Sequence, residues 1–407
     1  MRRIAVFTHD TFGLGHVRRC LHIVRGLCAR EPHAAVLLIT GSPAAQAMRD
    51  LPPNADFLKL PTVAKTGDAA RRPPHLPIGP RAITSIRKRL VRGAIESFRP
   101  DLLLVDNFPL GSRRELLPAL ERCRELGVRT VLGLRDVVDR PEVVRETWAR
   151  DDVYRVLREL YDLVLVYGSP EILDVGEAYA LDRDLRSKLR YCGYVTAIEP
   201  ASREPRRLLE ELGLAPPLVV ASAGGGGDGY PLLSSFVRAV RLLEGVSALA
   251  ITGPLMARQD RERLRRQAAG EPRIVIEEYV SDLPSYLRAA DAVVAMGGYN
   301  TVAELLALRR RALVLPRNWR YGEFLQGPRA GIEWEQLLRA QALERFGLLR
   351  VLSSSCFEPA ALAQSIAGAL SEPDPVGLDW PVRVDGVERA VDQLLETPAM
   401  EDSRAQG

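Results

Sequence analysis

The sequence predicts an α/β protein of two doubly wound domains, each with a parallel sheet, facing each other across a cleft. Its 407 residues suffice for two domains of roughly 100–200 residues each. Short apolar runs alternate with amphipathic stretches throughout, which is the pattern of βα units around a parallel sheet. The alternation comes in two series, separated by the polar, proline-containing segment 198–206. We therefore expect one domain from each series.

The first series predicts six strands and the helices between them. The expected strands are Arg3–Thr8, Ala34–Thr40, Asp56–Leu60, Leu102–Asp106, Arg129–Leu134 and Leu163–Tyr167. The stretch Val17–Arg30 follows the first strand and places Cys20, Ile23, Val24 and Leu27 on one face of a helix. We predict an N-terminal domain of residues 1–197.

The second series predicts five more strands and a closing helix. The expected strands are Pro217–Ser222, Ala248–Thr252, Arg273–Ile276, Ala292–Met296 and Ala312–Leu315. Residues 198–206 are the predicted linker and 207–382 the C-terminal domain. The remaining 383–407 comprise a helix, Arg383–Glu396, and a polar tail.

Composition indicates an ordinary globular protein and excludes several classes. Hydrophobic residues make up 46% and charged residues 27%, too apolar for a disordered chain. No uncharged apolar run approaches the ~18–20 residues that span a bilayer, and His9 and Asp10 interrupt the apolar start that a signal peptide would need. Five scattered cysteines predict buried thiols in a reducing compartment. We therefore expect a cytoplasmic protein.

The net charge and the positions of the histidines limit which partners and which kinds of site we expect. The net charge is +4, but acidic residues are interspersed with the basic ones and no basic tract is interleaved with aromatics, so we expect no nucleic-acid partner. The five histidines all lie at or before His75. A histidine-based metal or acid–base site in the second half is therefore excluded.

The first candidate motif, Gly13-Leu14-Gly15-His16, directly follows the first predicted strand and opens a helix. Glycines there allow a ligand close to the backbone, and a helix N-terminus favours negative charge. The same positive end disfavours protonation of His16, which keeps its imidazole available as a general base. The alternative is a tight βα turn in which His16 is an ordinary first-turn residue.

The second candidate is a glycine loop after the predicted strand Pro217–Ser222. It contains Gly224, Gly225, Gly226 and Gly227, followed by Asp228 and Gly229. Backbone N–H groups of such a loop suit phosphates at a helix terminus. The loop lacks the Lys-Ser/Thr of a P-loop and the downstream acidic residue of a dinucleotide fingerprint. A flexible inter-domain loop is the alternative.

The third candidate follows the predicted strand Ala292–Met296. Gly297 and Gly298 lead into a helix that carries Asn300, Thr301 and, one turn on, Glu304. A carboxylate at that place can accept hydrogen bonds from a vicinal diol such as a ribose. Thr301 and Glu304 also have the spacing of a capping box, which is the alternative.

The fourth candidate is the pair Glu335-Gln336, which opens a further amphipathic helix. Two adjacent polar side chains at a helix start suit sugar hydroxyls, although solvated first-turn residues have the same pattern. The preceding stretch from Arg317 to Trp334 is rich in arginine and aromatic residues, so we expect it to shape the same pocket.

Together these motifs resemble the GT-B glycosyltransferases, and within them the MurG branch of glycosyltransferase family 28. The resemblance covers most of the chain and is sharpest from Tyr279 to Leu348. It implies two Rossmann-like domains, with a nucleotide-diphosphate sugar, by resemblance a UDP-sugar, in the second. Implied donor contacts are Tyr279, Val280 and Leu283 for the base, Gly298, Asn300, Thr301 and Glu304 for phosphates and ribose, and Glu335 and Gln336 for the sugar.

The resemblance also implies that Gly13, Gly15 and His16 face the acceptor, whose identity the sequence leaves open. The family's polar pair is commonly Gln-Gln, where this chain has Glu335-Gln336, and Met296 stands where MurG-type enzymes have arginine. We expect His16 to deprotonate an acceptor hydroxyl. Asp106, at the end of a strand next to the first, orients His16, replaces it as base, or caps the turn that follows.

We expect no metal and no other cofactor in this reaction. Backbone amides and helix dipoles would stabilise the leaving diphosphate instead. The D-x-D motif Asp182–Asp184 lies in a mixed-charge helical stretch rather than at a strand end, so we interpret it as a solvated face.

The segment 71–99 holds eight basic residues and one acid, Glu96. Its second part is an amphipathic basic helix whose apolar residues are Ile83, Ile86, Leu90, Val91 and Ile95. Such a helix could meet anionic lipid at the inner face of the membrane or a phosphate-bearing acceptor. A solvated helix packed on the sheet is the plainer alternative.

Two rival functions share the predicted architecture. The first is a non-hydrolysing nucleotide-sugar 2-epimerase. Its family has a histidine in the second domain, and this chain has none there. A non-catalytic relative would bind a nucleotide sugar as a sensor or partner subunit. Loss of catalytic activity is argued against by the complete glycine loop and by the presence of His16 and Glu304.

Overall fold

The computed structural model describes residues 1–8, 15–42, 51–65, 71–72, 76–196, 204–280, 282–317, 334–372 and 380–396. These residues form two parallel sheets covered by helices on both faces, with a two-stranded antiparallel ribbon beside them. This is the predicted two-domain, doubly wound α/β architecture.

The first sheet has seven strands in the order β3-β2-β1-β6-β7-β8-β9. Its strands and the ribbon strands are β1 (Arg3–Thr8), β2 (Ala35–Thr40), β3 (Ala55–Lys59), β4 (Ala64–Lys65), β5 (Arg71–Arg72), β6 (Leu102–Asp106), β7 (Arg129–Arg135), β8 (Leu163–Tyr167) and β9 (Leu189–Tyr191). The helices are α1 (Gly15–Arg30), α2 (Pro80–Phe98), α3 (Leu117–Glu125), α4 (Pro141–Arg150), α5 (Val153–Leu160), α6 (Val175–Ala178) and α7 (Arg183–Ser187).

The second sheet has six strands in the order β12-β11-β10-β13-β14-β15. They are β10 (Leu218–Ser222), β11 (Ser247–Ile251), β12 (Ile274–Glu277), β13 (Ala292–Met296), β14 (Ala312–Leu315) and β15 (Arg350–Val351). The helices are α8 (Pro205–Leu212), α9 (Tyr230–Val240), α10 (Arg258–Ala268), α11 (Leu283–Ala289), α12 (Tyr299–Ala307), α13 (Trp334–Arg345), α14 (Pro359–Leu370) and α15 (Gly386–Leu395).

Every strand predicted from an apolar run is present, with each end within one residue of the prediction. All residues of β6, β8, β10, β11, β13 and β14 are buried, because helices cover both faces of a parallel sheet. The short strands β9 and β15 were not predicted. These strands are only two or three partly exposed residues long, too short to show a periodic pattern of apolar residues.

Helix α15 connects the end of the chain to the first domain. Its Val387 and Val391 pack against α1, where a Cβ on Gly26 would lie 2.9 Å from Val391. Arg129 donates to the carbonyl oxygens of Leu394 at 3.0 Å and Glu396 at 2.7 Å, which satisfies the C-terminal end of the helix.

The start of α15 differs from the predicted Arg383. The Tyr194 N–H donates to the Arg383 carbonyl at 2.8 Å, and the Gly386 N–H donates to the Tyr194 carbonyl at 3.2 Å. These two hydrogen bonds hold the backbone before Gly386 against Tyr194, and the helix begins at Gly386 with Asp385 as its N-cap. Of the predicted linker, residues 198–203 lie outside the described residues, and α8 already begins at Pro205, a residue suited to the first helical position.

Helix α2 differs from the single apolar face that the sequence predicted. Ile83, Val91 and Ile95 are buried, but Ile86 and Leu90 are each 39% exposed. Arg87 takes an inward position instead and pairs with the buried Glu115 at 2.5 Å. A buried arginine is tolerated there because a carboxylate accepts both arms of its guanidinium.

Candidate functional site

The four sequence motifs lie at the carboxyl ends of strands in the middle of each sheet. In the first sheet β1 pairs with β2 on one side and β6 on the other. In the second sheet β10 lies between β11 and β13 in the same way. These are the points where strand order reverses, and ligands of open α/β sheets bind in the crevice that such points create.

His16 and Asp106 meet at the switch point of the first sheet. His16 is the second residue of α1 and Asp106 the last of β6, which pairs with β1. His16 Nδ1 lies 2.5 Å from Asp106 Oδ2, and Asp106 Oδ1 accepts from Arg19 Nη2 at 2.6 Å and Nε at 3.1 Å. Both carboxylate oxygens are therefore held by side chains of α1.

The contacts of His16 define its tautomer. Nδ1 also lies 3.1 Å from Arg19 Nη2. Two acceptor atoms at 2.5 Å would repel each other, so the Nδ1 proton faces the Asp106 carboxylate and the lone pair resides on Nε2.

Burial and charge set the protonation states of this cluster. Burial lowers the pKa of His16, and this outweighs the opposite effect of Asp106. Burial alone would raise the pKa of Asp106, but Arg19 and His16 lower it to about 2. The cluster therefore combines a carboxylate, a guanidinium and a neutral imidazole.

A buried stack on Tyr299 connects this cluster to the second domain. The Arg19 and Arg339 guanidinium carbons lie 5.0 Å and 5.2 Å from the centre of the Tyr299 ring, within the range of cation–π attraction. Arg339 donates to Asp136 Oδ1 at 2.7 Å from Nη2 and at 2.9 Å from Nε. Tyr194 also donates to Asp136, at 2.8 Å, so the carboxylate is satisfied across the domain boundary.

The third motif leaves β13 and crosses the cleft. Helix α12 begins at Tyr299 after Gly298. Asn300 Nδ2 donates to the Gly15 carbonyl oxygen at 3.0 Å. Glu304 lies 2.6 Å from Arg18 of α1. Gly298 is the N-cap and receives no side-chain cap, so the capping-box alternative for Thr301 and Glu304 is wrong.

Glu304 is only 3% exposed. Burial raises the pKa of its carboxyl group, and the neighbouring Arg18 partly offsets this. A buried carboxyl group with a single charged partner is suited to exchange that partner for other hydrogen-bond donors.

The glycine loop faces the third motif. Gly224 and Gly226 have φ values of 62° and 85°, and a Cβ on Gly226 would lie 2.0 Å from the Thr252 carbonyl oxygen. These two positions therefore require glycine. A Cβ on Gly224 would lie 4.0 Å from Thr301 Oγ1, so the loop and the turn lie beside each other. Asp228 pairs with Arg317, Oδ2 to Nε, at 2.5 Å.

Both residues of the fourth motif point into the protein rather than into solvent. Glu335 pairs with Arg135 at 2.6 Å and Arg339 at 3.0 Å. Burial would raise the pKa of Glu335, but these two arginines lower it. The buried Gln336 accepts from the Arg317 N–H at 3.1 Å, and a Cβ on Gly297 would lie 3.2 Å from Gln336 Cβ.

The other predicted site residues differ in their burial and in their contacts. Tyr279 is 65% exposed, Val280 packs partly buried against the core, and Leu283 begins α11. Gly225 and Gly227 both face Leu255. Gly13 and most of the segment 317–334 lie outside the described residues, whereas Trp334 stacks under Arg140, at 5.1 Å.

Sequence reasoning missed the charged partners of these residues. They are Arg18, Arg19, Asp136, Arg135 and Arg339. Two of these partners could have been predicted from their spacing. Arg19 is three residues after His16 and Arg339 four after Glu335, so each lies on the same helical face as the predicted residue. In a chain with 56 basic residues, four of them lysine, the other arginines had no distinguishing pattern.

Neither a metal cluster nor a membrane span is found in the described ranges. Among those residues no group of three or more His, Cys, Asp and Glu is placed to hold a metal ion. Asp182 of the D-x-D motif accepts from the Leu185 N–H as the cap of α7 and pairs with Arg158. In the same part of the chain, no helix combines the length and apolarity needed to cross a membrane.

Comparison with known proteins finds a family match within the second domain. Residues 225–375 match the glycosyltransferase family 28 C-terminal domain. An uncharacterized glycosyltransferase of Methanosarcina acetivorans is 32% identical over 133 residues, 32% of each chain. A UDP-N-acetylglucosamine–N-acetylmuramyl-(pentapeptide) pyrophosphoryl-undecaprenol N-acetylglucosamine transferase of Rubrobacter xylanophilus is 34% identical over 116 residues, 28% of this chain and 32% of that protein. The alignments thus span about a third of these relatives.

Solved structures match the whole chain in fold. Acinetobacter baumannii MurG has a TM-score of 0.62 at 14% identity, over 97% of this chain and 99% of that one. The UDP-GlcNAc 2-epimerase of Methanocaldococcus jannaschii has a TM-score of 0.59 at 10% identity, over 97% and 99%. The chain therefore has the GT-B fold, and its residues 225–375 match the C-terminal domain of glycosyltransferase family 28.

Proposed function

We propose that this protein is a glycosyltransferase that moves a sugar from a nucleotide-diphosphate donor to an acceptor hydroxyl. One observation carries the proposal: the His16–Asp106 pair and the turn of the family 28 domain lie against each other. Asn300 donates to Gly15, the residue before His16, and Glu304 pairs with Arg18. A base on one domain and a donor site on the other would then share one cleft.

The donor would lie along the second domain. Its phosphates would lie between the glycine loop 224–229 and the start of α12, where backbone N–H groups favour anions. Its ribose would replace Arg18 at Glu304, and its sugar would reach Glu335 and Gln336. Uridine is our choice of base, because the Rubrobacter xylanophilus relative is named as a UDP-N-acetylglucosamine transferase. Tyr279, Val280 and Leu283 would form the base site.

The chemical step would use His16 as the general base. The acceptor O–H gives its proton to His16 Nε2 while the acceptor oxygen bonds to the anomeric carbon. The bond from that carbon to the diphosphate oxygen breaks, and the diphosphate leaves with the electron pair. Asp106 holds the imidazole in the required tautomer and stabilises the imidazolium that forms. Backbone amides and the α12 dipole would stabilise the leaving group without a metal.

The two rival functions fit the residues less well. The 2-epimerase neighbours have the same fold, so fold alone does not separate them from transferases. The family 28 match, together with the lack of any histidine after His75, favours the transferase. A non-catalytic relative would have no need for a neutral imidazole oriented by a buried carboxylate.

We further propose that helix α2 contacts the anionic inner face of the membrane. Ile86 and Leu90 lie one turn apart and, with Leu76, are exposed by 39–44%. Arg81, Arg89 and Arg92 are exposed around them. Apolar side chains within a basic ring suit an anionic lipid surface, where each basic residue contributes about 1 kcal/mol. This surface would hold a cytoplasmic enzyme at the membrane.

A first prediction concerns the charge of His16. Because its folded pKa is lowered from the ordinary 6.5, the unfolded chain takes up the proton at higher pH, and this residue's contribution to stability falls as the pH drops below 6.5. Histidine-ring NMR during a pH titration, assigned with His16→Asn, should show a neutral His16 at pH 6.5. A His16 that titrates at 6.5 or above would contradict the assignment.

Removing the base should slow transfer. We expect His16→Ala to lower turnover by ~10²–10⁴-fold, the usual contribution of a general base, in an assay of UDP release from UDP-sugars with a panel of acceptors. His33→Ala is the matched control, because His33 is exposed. Unchanged turnover in His16→Ala would exclude His16 as the base.

The membrane contact is tested by co-sedimentation with phosphatidylglycerol vesicles. Wild type should sediment at low salt and less at high salt, and Ile86→Ser with Leu90→Ser should abolish most of the binding. Leu242→Ser, at a residue 60% exposed in the other domain, is the control. Wild type that stays in the supernatant at low salt would refute the contact.

A further inference from the structure

Arg317 connects two motifs of the proposed donor site. It lies two residues after β14, and its backbone N–H donates to Gln336 Oε1 at 3.1 Å. Its side chain makes two contacts with Asp228 of the glycine loop, 2.7 Å from Nη2 to Oδ1 and 2.5 Å from Nε to Oδ2. The first contact is a hydrogen bond and the second is a close approach of opposite charges, and a guanidinium can bind a phosphate through the same groups.

This pair lies beside the turn of the third motif. A Cβ on Gly224 would lie 4.0 Å from Thr301 Oγ1, and a Cβ on Gly297 would lie 3.2 Å from Gln336 Cβ. Arg317 contacts the glycine loop through its side chain and the start of α13 through its backbone N–H. The side chain of Arg317 is 27% exposed and that of Asp228 is 14% exposed, so both remain partly accessible to solvent.

The negative charge of Asp228 is unusual in a loop proposed to bind a diphosphate. A loop of backbone N–H groups attracts anions, yet Asp228 places a carboxylate in it, which would repel a diphosphate unless a cation balances it. Arg317 supplies that cation. Arg18 and Arg135 reach the cleft from the first domain, whereas Arg317 belongs to the same domain as the loop and remains beside it if the domains separate.

We propose that Arg317 is a donor-binding residue that holds the diphosphate and that Asp228 occupies its guanidinium until the donor arrives. The guanidinium exchanges the Asp228 carboxylate for phosphate oxygens, which carry more negative charge and accept hydrogen bonds from its N–H groups. The proposal rests on the proposed function, because it assigns a contact within that donor site.

The test is calorimetric titration of wild type, Arg317→Met and Asp228→Asn with UDP, UMP and uridine. Arg317→Met should weaken UDP binding by ~10–100-fold, as expected for a lost hydrogen bond between charged groups, with a smaller loss for UMP and little change for uridine. Asp228→Asn removes the competitor and should bind UDP more tightly. Arg258→Met is the control for charge, because Arg258 is exposed on α10 and pairs with Glu262 of that helix.

Two results would overturn the assignment. One is Arg317→Met that binds UDP as wild type does. The other is equal loss of all three ligands in both variants, which would mean that the pair only holds the loop in place. Wild type that binds none of UDP, dTDP, GDP and ADP would contradict the proposed function and this assignment together, whereas a failure confined to the variants contradicts this assignment alone.

Discussion

Two buried guanidinium groups that pack against the Tyr299 ring set the geometry of the cleft. Arg19 and Arg339 are at most 2% exposed, so each needs a carboxylate, and Asp106 and Asp136 supply them from the first domain. Losing one partner of a buried pair costs about 3–5 kcal/mol. The requirement to satisfy these charges therefore fixes α1 against β6, and α13 of the second domain against Asp136, the residue after β7.

Carboxylates at the edge of the cleft are also paired with arginines. Each of three carboxylates in the second domain is paired with an arginine. The pairs are Glu304 with Arg18, Glu335 with Arg135 and Asp228 with Arg317. Under the proposed function, a nucleotide sugar can replace both kinds of partner, since its hydroxyls donate to carboxylates and its phosphates accept from arginines. The charges of the cleft thus complement those of the proposed donor.

The sequence contained most of the fold and the positions of the motifs, but not their pairings. Buried strands such as β6 and β13 are continuous apolar runs, and motifs that follow such strands converge because parallel strands end at one edge. Asp106 could be placed beside His16 by this argument. The partnership of Arg135 with Glu335 could not, because it joins residues 200 positions apart in a chain rich in arginine.

The central claim is that the turn from Gly297 to Glu304 binds a nucleotide. The most direct measurement is calorimetric titration of wild type and Glu304→Ala with UDP, dTDP, GDP and ADP, with Glu262→Ala on the exposed face of α10 as the control. We predict micromolar binding of one diphosphate, UDP by our proposal, and a loss of ~1–3 kcal/mol in Glu304→Ala, the cost of removing a buried charged hydrogen bond. If no diphosphate binds, or if Glu304→Ala binds as wild type does, the account of this cleft as a donor site is contradicted.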